Sequence, residues 1–210
     1  MPRTFTLTAL VLRTRPSGES NREAWFLTAE EGLCQATVFG GPKSRLRAHV
    51  APFHSGPLWI YRDPVRNSRK VTDFDVHCWR PGIREQYERT MAADALAETI
   101  LKSHGGGGNW GAAFSLAGGS LDALEAAGER HCLPILLHFF WNWLDILGLR
   151  PESPLPLDAG ARNWLAAVEN LEPRQLLRYN LDGASLGRLK ASLTSLLTEA
   201  LGRRLATWDW

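Results

Sequence analysis

The sequence has 210 residues, of which 44% are hydrophobic and 22% are charged. This composition is typical of a globular protein with one or two domains, and no segment is apolar for long enough to span a membrane. Three cysteines without a C-x-x-C pair argue against a disulfide framework and a zinc ribbon. The first residues lack the pattern of a secretory signal, so we expect a cytoplasmic protein with no membrane partner.

The formal net charge of +2 conceals an uneven distribution along the chain. Residues 1–80 contain 12 Lys and Arg against 7 Asp and Glu, or +5, whereas residues 81–210 contain 12 against 15, or −3. Residues 41–70 carry a single acid, Asp63, against seven basic residues: Lys43, Arg45, Arg47, Arg62, Arg66, Arg69 and Lys70. A basic half joined to a mildly acidic half indicates that the basic half meets a polyanion.

The first 80 residues predict β structure. "TFTLTALVL", "AWFLTAEEGLCQATVF" and "LWIYRD" are rich in β-branched and aromatic residues, and glycine turns separate them. In "VTDFDVHC" the alternation predicts that Thr72, Phe74, Val76 and Cys78 share one face. Five or six short strands in this length predict a small closed barrel of the SH3 or OB type.

The turn "FGGPKSRLR", residues 39–47, places three positive charges directly after a strand. It has the residue types of a phosphate-binding P-loop, but Pro42 stands where that loop requires a glycine before Lys43 and has no N–H to offer a phosphate. Two interpretations of this turn stay open: a solvated basic hairpin tip, or a contact to nucleic acid.

After residue 80 the hydrophobic period becomes helical. A first helix is predicted up to Lys102, followed by the run "GGGGNWG", which we interpret as a flexible connector. Residues 133–149 predict a buried core helix. A further helix carries Ala161, Trp164, Leu165 and Val168 on one face. The last helix has a leucine stripe, with Ser185 placed to cap its start and Gly202 near its end.

Catalytic and metal-binding motifs give no support for an enzyme. "GASLG", residues 183–187, fits the G-x-S-x-G pattern of hydrolases, but the last histidine of the chain, His138, lies upstream, where that fold requires it downstream. The chain has no H-E-x-x-H motif, and its two His-Cys dipeptides point their neighbouring side chains apart. We therefore expect no catalytic residue, no metal and no cofactor.

Three parts of the sequence, in order, resemble the recombination mediator family RecO. The turn region matches at Gly40, Lys43, Ser44 and Arg45, and the preceding strands match at Val11, Leu12, Arg15, Gly18, Glu19, Asn21, Glu31, Gly32 and Leu33. "RPGIREQYERTMAADALAETIL" resembles the entry to the family's helical domain, and "LTEALGRRLAT" resembles its closing helix. One departure is that the four zinc-binding cysteines common in the family are missing after "DILGL".

The resemblance implies an α+β architecture, with an OB-fold barrel at residues 1–80 and an all-α helical domain at residues 81–210. It also implies a nucleoid-associated DNA-repair protein that binds single- and double-stranded DNA and anneals complementary strands. The implied partners are RecR, with which the family loads RecA, and the acidic tail of single-strand-binding protein. Because the zinc-binding cysteines are missing, we carry over no zinc site.

From the residues themselves, we expect DNA phosphates to be neutralised by eight basic side chains: Lys43, Arg45, Arg47, Arg13, Arg15, Arg66, Arg69 and Lys70. Three aromatic residues, Phe39, Trp59 and Tyr61, could stack on bases, but alternation within strands favours a place in the barrel core.

An adaptor that binds an acidic tail and has weak DNA binding is the alternative function. Its candidate residues are Arg203 and Arg204, although a role in complementing the helix dipole is favoured for this pair.

Overall fold

The computed structural model describes residues 4–41 and 43–208. Pro42, on which the exclusion of a P-loop depends, lies outside the described residues. The chain divides into two compact units. The first comprises Met1–Arg80 and Trp110–Phe114, and the second comprises Pro81–Asn109 and Ser115–Trp210.

The first unit is a closed five-stranded barrel. Its strands follow one another around the barrel in the order β1-β2-β3-β5-β4. Neighbouring strands are antiparallel except β3 and β5, which are parallel. This is the strand order of an OB fold, so the predicted architecture of an OB barrel and a helical domain is confirmed. The elements are β1 Thr4–Ser17, β2 Asn21–Thr28, β3 Gly32–Val38, α1 Arg45–His49, β4 Ser55–Asp63 and β5 Ser68–Phe74.

Small and branched side chains fill most of the barrel core, and two aromatic rings complete it. Phe26 and Phe74 are fully buried and meet edge to face with their ring centroids 6.3 Å apart. The expectation that Phe39, Trp59 and Tyr61 belong to the core is wrong, because Trp59 and Tyr61 are half-buried and Phe39 is 53% exposed. The inward positions of β4 are taken by Leu58 and Ile60 instead, so the aromatic residues between and after them face outward.

The predicted alternation in β5 is also wrong at one position. Val71 pairs with Ile60 and Asp73 with Trp59, so the register shifts at the intervening Thr72. Because this bulge inserts one extra residue, Val71 and Phe74 are both buried while Thr72 is exposed. Thr72 therefore lies on the outer surface of the barrel, whereas strict alternation predicted that it shares a face with Phe74.

The second unit is built from helices. Alongside its α-helices it has short 3-10 helices at Pro81–Glu85, Pro173–Arg178 and Ala206–Trp208. The predicted apolar face of α5 is confirmed, since Ala161, Trp164, Leu165 and Val168 are its buried residues. Within the described parts of the chain, no helix is long and apolar enough to cross a membrane. The α-helices after the barrel are α2 Tyr87–Lys102, α3 Trp110–Ala126, α4 Glu129–Ile146, α5 Ala159–Val168 and α6 Gly183–Leu201; the first residues of α3, Trp110–Phe114, are grouped with the first unit.

The glycine run, interpreted from the sequence as a flexible connector, forms a turn in which the backbone N–H groups of Gly105 and Gly106 donate to Ile100 and Ser103. All four glycines of residues 105–108 have positive φ angles, a conformation that other residues rarely adopt. Gly106 lies so close to Trp143 that an added Cβ would come within 3.1 Å of the indole ring. The indole N–H of Trp143 in turn donates to Ser103 Oγ at 2.9 Å. The turn leads directly into α3, a helix that the sequence analysis did not predict.

The N-terminal cap of α6 is Asp182, not Ser185 as predicted. The Asp182 carboxylate accepts hydrogen bonds from the backbone N–H groups of Ala184 and Ser185, as an N-cap side chain does. Ser185 is buried in the first turn, where its hydroxyl donates to Asp158 Oδ1 at 3.0 Å. At the other end Gly202 adopts the left-handed conformation of a helix C-cap, with φ 65°, as expected.

A glycine in β4 gives a test of the barrel. Gly56 pairs with Ala9 of β1, and a Cβ on it would lie 2.0 Å from the carbonyl oxygen of Asp75. Gly56→Ala should therefore lower the free energy of unfolding by about 2 to 3 kcal/mol, because backbone atoms must move. Gly187→Ala is the matched control, since Gly187 is exposed in α6 with nothing within 4 Å. It should stabilise by up to about 1 kcal/mol. Urea unfolding followed by circular dichroism measures both, and a Gly56→Ala protein as stable as the wild type would contradict the packing.

A carboxylate on α2 fastens the end of the described chain. Glu98 accepts hydrogen bonds from the backbone N–H groups of Ala206 and Thr207 and from the Thr207 hydroxyl. Lys102 pairs with Glu98 at 2.7 Å and also donates to the carbonyl oxygen of Arg204. Burial raises the pKa of Glu98, but the hydrogen bonds from Lys102, Thr207 and Ala206 outweigh it and lower the pKa to about 2.

The lowered pKa of Glu98 predicts a pH dependence of stability. The ionised form is favoured in the folded protein, so its stabilising effect is complete above the ordinary pKa of 4.5 and is lost as pH falls from there towards about 2. Glu98→Gln should therefore lower the melting temperature at pH 7, and the difference from the wild type should shrink steadily below pH 4.5. Glu152→Gln, at an exposed position, is the control. A Glu98→Gln difference that stays constant from pH 7 to pH 3 would contradict this role.

Candidate nucleic-acid interface

The outer surface of the barrel has a groove where the β4–β5 hairpin meets the end of β3. The groove has a volume of about 470 Å³. It exists because Thr37 of β3 pairs with Lys70 of β5, which brings the residue after β3, Phe39, beside the hairpin. The residues that line it are Thr37, Phe39, Tyr61, Asp63, Arg66, Ser68, Arg69, Lys70, Val71 and Thr72.

Aromatic rings and positive charges lie together in this groove. Lys70 and Tyr61 are cross-strand partners, and the Lys70 Nζ lies 4.7 Å from the centre of the Tyr61 ring. Such a cation–π contact holds the ammonium group over the ring while leaving it in contact with water. Phe39 adds a second ring that is 53% exposed. A surface of this kind can bind a phosphate through its cations and a flat ring through its aromatic faces.

The tip of the β4–β5 hairpin holds Arg66 at the edge of the groove. The Asp63 Oδ1 accepts hydrogen bonds from the backbone N–H groups of Val65 (2.9 Å) and Arg66 (3.2 Å). Asn67 has a positive φ of 46°, which suits asparagine better than most residues and completes the turn. The backbone of the tip is therefore fixed by local hydrogen bonds, and Arg66 is exposed on it.

Arg69 also lines the groove, but its guanidinium group already has two partners in the barrel, Cys34 and Glu31. Its Nη1 donates to Cys34 Sγ at 3.0 Å and lies 3.1 Å from Glu31 Oε2. Burial raises the pKa of the Cys34 thiol, which the neighbouring Arg69 guanidinium only partly offsets. Arg69 further lines an adjacent groove of about 520 Å³ with Gln35 and Asn67. Its charge is thus shared between internal partners and the surface.

The basic turn leads into α1 and offers a second group of charges. Lys43 and Arg45 are exposed, and Arg45 Nε donates to His49 Nε2 at 3.3 Å. Arg45 and His49 line a smaller groove of about 340 Å³ with Trp59 and two acidic residues, Asp73 and Asp75.

Arg47, the third charge of the turn, extends in another direction. It is half-buried, and its guanidinium donates to the carbonyl oxygen of Ser20 in the β1–β2 loop at 3.4 Å. The three charges of the turn therefore have different surroundings, and only Lys43 and Arg45 are exposed.

The two arginines of β1 differ from each other. Arg13 is exposed directly after a bulge at Leu12, where the pairing with β2 shifts. Arg15 forms an ion pair with Glu23 at 2.6 Å, and its guanidinium stacks 5.0 Å from the Trp25 ring. Part of the Arg15 charge is therefore already neutralised.

Arg203 and Arg204, the candidates for binding an acidic tail, lie in the second unit. Both are exposed, and both follow the C-cap of α6, Gly202, so they lie beyond the helix rather than in its last turn. In the parts of the chain that are described, no three His, Cys, Asp or Glu side chains come together in a way that could hold a metal ion.

The structure brings Arg66, Arg69 and Lys70 into one groove, and it puts Arg45 in a different one. Three polar neighbours, Thr37, Ser68 and Thr72, could not be assigned to the groove from the sequence. Thr37 reaches it through the pairing of β3 with β5, and Thr72 faces outward because of the bulge in β5. It also gave no role to Arg62, whose partners Glu31 and Phe5 come from other strands and turns.

The first unit is an OB-fold barrel with a basic groove that exposes aromatic rings, and the second unit is helical. Residues 1–76 match the family model described as "Recombination protein O N terminal". Relatives extend the similarity over most of the chain. The DNA repair protein RecO of Gloeobacter violaceus is 26% identical over 216 residues, which covers 99% of this chain and 82% of that protein.

Two further relatives carry the same name. That of Thermosynechococcus vestitus is 26% identical over 193 residues, covering 91% of this chain and 67% of the relative. The RecO protein of Heliobacterium modesticaldum is 31% identical over 163 residues, which covers 75% of this chain and 56% of that relative. The first 76 residues thus match the RecO family model, and the chain as a whole is similar to RecO proteins over most of its length.

Proposed function

We propose that this chain is a recombination mediator in DNA repair that binds single- and double-stranded DNA without sequence preference. The observation that carries the proposal is the groove in which Arg66 and Lys70 lie beside the exposed ring of Phe39 and the half-buried ring of Tyr61. OB folds bind oligonucleotides on the face of strands 2 and 3 and through the β1–β2 and β4–β5 loops, and this groove lies between the end of β3 and the β4–β5 loop. The name that the relatives share, DNA repair protein, agrees with such a role.

The mechanism that we propose is electrostatic. Basic side chains neutralise backbone phosphates and release counterions, which gives an affinity that falls steeply with salt and does not depend on base sequence. A protein that reduces the repulsion between two strands in this way brings complementary strands together, and base pairing then selects the match. No bond is made or broken by the protein, so the proposal requires neither a catalytic residue nor a cofactor.

The proposed partners other than DNA follow from the family resemblance. RecR would act with this chain to load RecA, and single-strand-binding protein would contact it through an acidic C-terminal tail. Residues 1–80 would carry the DNA-binding role, and residues 81–210 would carry the protein contacts. The charge difference between these two parts, +5 against −3, supports this division.

Charge reversal in the turn tests whether it binds DNA. Lys43→Glu with Arg45→Glu should weaken binding to a single-stranded oligonucleotide on the order of tenfold at moderate salt, and should make the salt dependence less steep. Arg174→Glu with Arg178→Glu is the matched control, because it changes the net charge equally at exposed positions of the helical unit. Fluorescence anisotropy of a labelled oligonucleotide measures both. Equal losses in the two variants, or no loss in the first, would show that the turn is a solvated hairpin.

The second candidate function is an adaptor that binds an acidic peptide and binds DNA weakly. The observation that favours it is that Arg203 and Arg204 are exposed in a segment whose backbone is held by α2. Lys102 donates to the carbonyl oxygen of Arg204, and Glu98 accepts the N–H of Thr207. Guanidinium groups in a fixed segment are suited to carboxylates.

An acidic peptide that ends in Phe tests the adaptor. The wild type should bind it at low salt, with a change in tryptophan fluorescence, and Arg203→Glu with Arg204→Glu should abolish binding while leaving the oligonucleotide affinity unchanged. If the double variant still binds the peptide, the two arginines are not part of the peptide site. If the wild type does not bind the peptide, the adaptor function is wrong.

A further inference from the structure

One carboxylate on the barrel surface lies between two guanidinium groups. Glu31, in the turn between β2 and β3, has its Oε2 3.1 Å from Arg62 Nη2 and 3.1 Å from Arg69 Nη1. The side chains are 34%, 42% and 28% exposed, respectively, so water reaches all three. Two forked donors that converge on one anionic oxygen form an arrangement that also suits a phosphate oxygen.

The two arginines have further partners that do not involve Glu31. The Arg62 guanidinium stacks 4.9 Å from the ring of Phe5, and Arg69 donates to Cys34 Sγ. Among the described residues, Arg62 Nε is buried and has no hydrogen-bond partner, so the outer nitrogens of this guanidinium are the ones that can contact a ligand. Both guanidinium groups therefore have contacts within the barrel that do not depend on Glu31.

We propose that Arg62 and Arg69 form a phosphate-binding clamp, and that Glu31 occupies this clamp in the free protein. The ligand is a backbone phosphate of a nucleic-acid strand, so the inference rests on the proposed function and adds a site and a competitor to it. Arg69 lines the groove that contains Tyr61 and Lys70, which places the clamp at the border of the proposed DNA path.

Glu31 can be displaced because the two ion pairs are partly exposed to water. Water screens a surface pair of charges, so its attraction is weak and depends on salt. A strand that already binds through other phosphates presents the next phosphate at high local concentration, and this phosphate can replace the carboxylate. A ligand with a single phosphate lacks this advantage, so Glu31 would lower its affinity more than that of a nucleic-acid strand that binds through several phosphates.

The neighbouring acid provides a matched control. Glu30 accepts the backbone N–H of Thr8 at 3.0 Å from each of its carboxylate oxygens, and no ion pair to an arginine is found for it within the described residues. Glu30→Gln and Glu31→Gln change the net charge of the protein equally, at adjacent positions of one turn. A difference between them reports the clamp rather than the general charge of the surface.

The experiment measures binding to a labelled single-stranded oligonucleotide at several salt concentrations. Glu31→Gln should bind at least threefold more tightly than Glu30→Gln at low salt, and its log–log salt dependence should be steeper by about 0.7 for each phosphate gained. Adding Arg62→Gln to Glu31→Gln should remove the gain. Equal affinities and slopes for the two Gln variants, or a gain that survives loss of Arg62, would overturn the inference.

A separate variant keeps the test independent of how well Glu31→Gln folds. Arg62→Gln alone should make the salt dependence of wild-type binding less steep by about 0.7, whereas Arg178→Gln, at an exposed position of the helical unit, should change it less. No difference between these two would also overturn the clamp. A wild type that fails to bind DNA at low salt would instead overturn the proposed function itself, and with it the ligand of the clamp.

Discussion

The parallel pairing of β3 with β5 is the contact on which the candidate site depends. Thr37 and Lys70 are the partners that close the barrel at this seam. Closure removes the free sheet edges and sets the β4–β5 hairpin against the end of β3. Phe39 and Arg66, which are far apart in the sequence, then line the same groove.

Some of the basic side chains of the barrel form ion pairs with acidic side chains of the barrel. Arg15 is paired with Glu23, while Arg62 and Arg69 share Glu31. Lys43, Arg45, Arg66 and Lys70 are exposed. The excess of five positive charges in residues 1–80 is therefore a mixture of exposed cations and paired ones, and the two kinds differ in how readily they bind phosphate.

Much of the fold could be predicted from the sequence because its elements follow simple periods. The β-rich first part, the buried helix now seen as α4 and the apolar face of α5 all depend on local hydrophobic patterns. Thr72 could not be placed because a bulge is a property of two paired strands, and alternation in one strand does not contain it. The packing of Gly106 could not be predicted for a similar reason, because the Trp143 ring that a Cβ there would meet lies far along the chain.

The candidate site was predictable in composition but not in geometry. A count of charges identified Arg66, Arg69 and Lys70, but their shared groove depends on strand register, which the sequence does not state. The outward orientation of Tyr61 and Trp59 was missed because a strand with aromatic residues on one face and aliphatic residues on the other fits either orientation. Glu31 was missed as a partner because the two arginines that it binds come from β4 and β5.

The central claim is that the barrel binds nucleic-acid backbones through charge, without reading bases. The most direct measurement is the affinity of the wild-type protein for single-stranded oligonucleotides of different sequence over a range of salt concentrations. Binding through charge should give nearly equal affinities for the different sequences and a log–log slope of about −0.7 for each phosphate contacted, so several contacts give a slope of about −2 or steeper. Binding that is absent at low salt, that does not change with salt, or that depends strongly on sequence would contradict it.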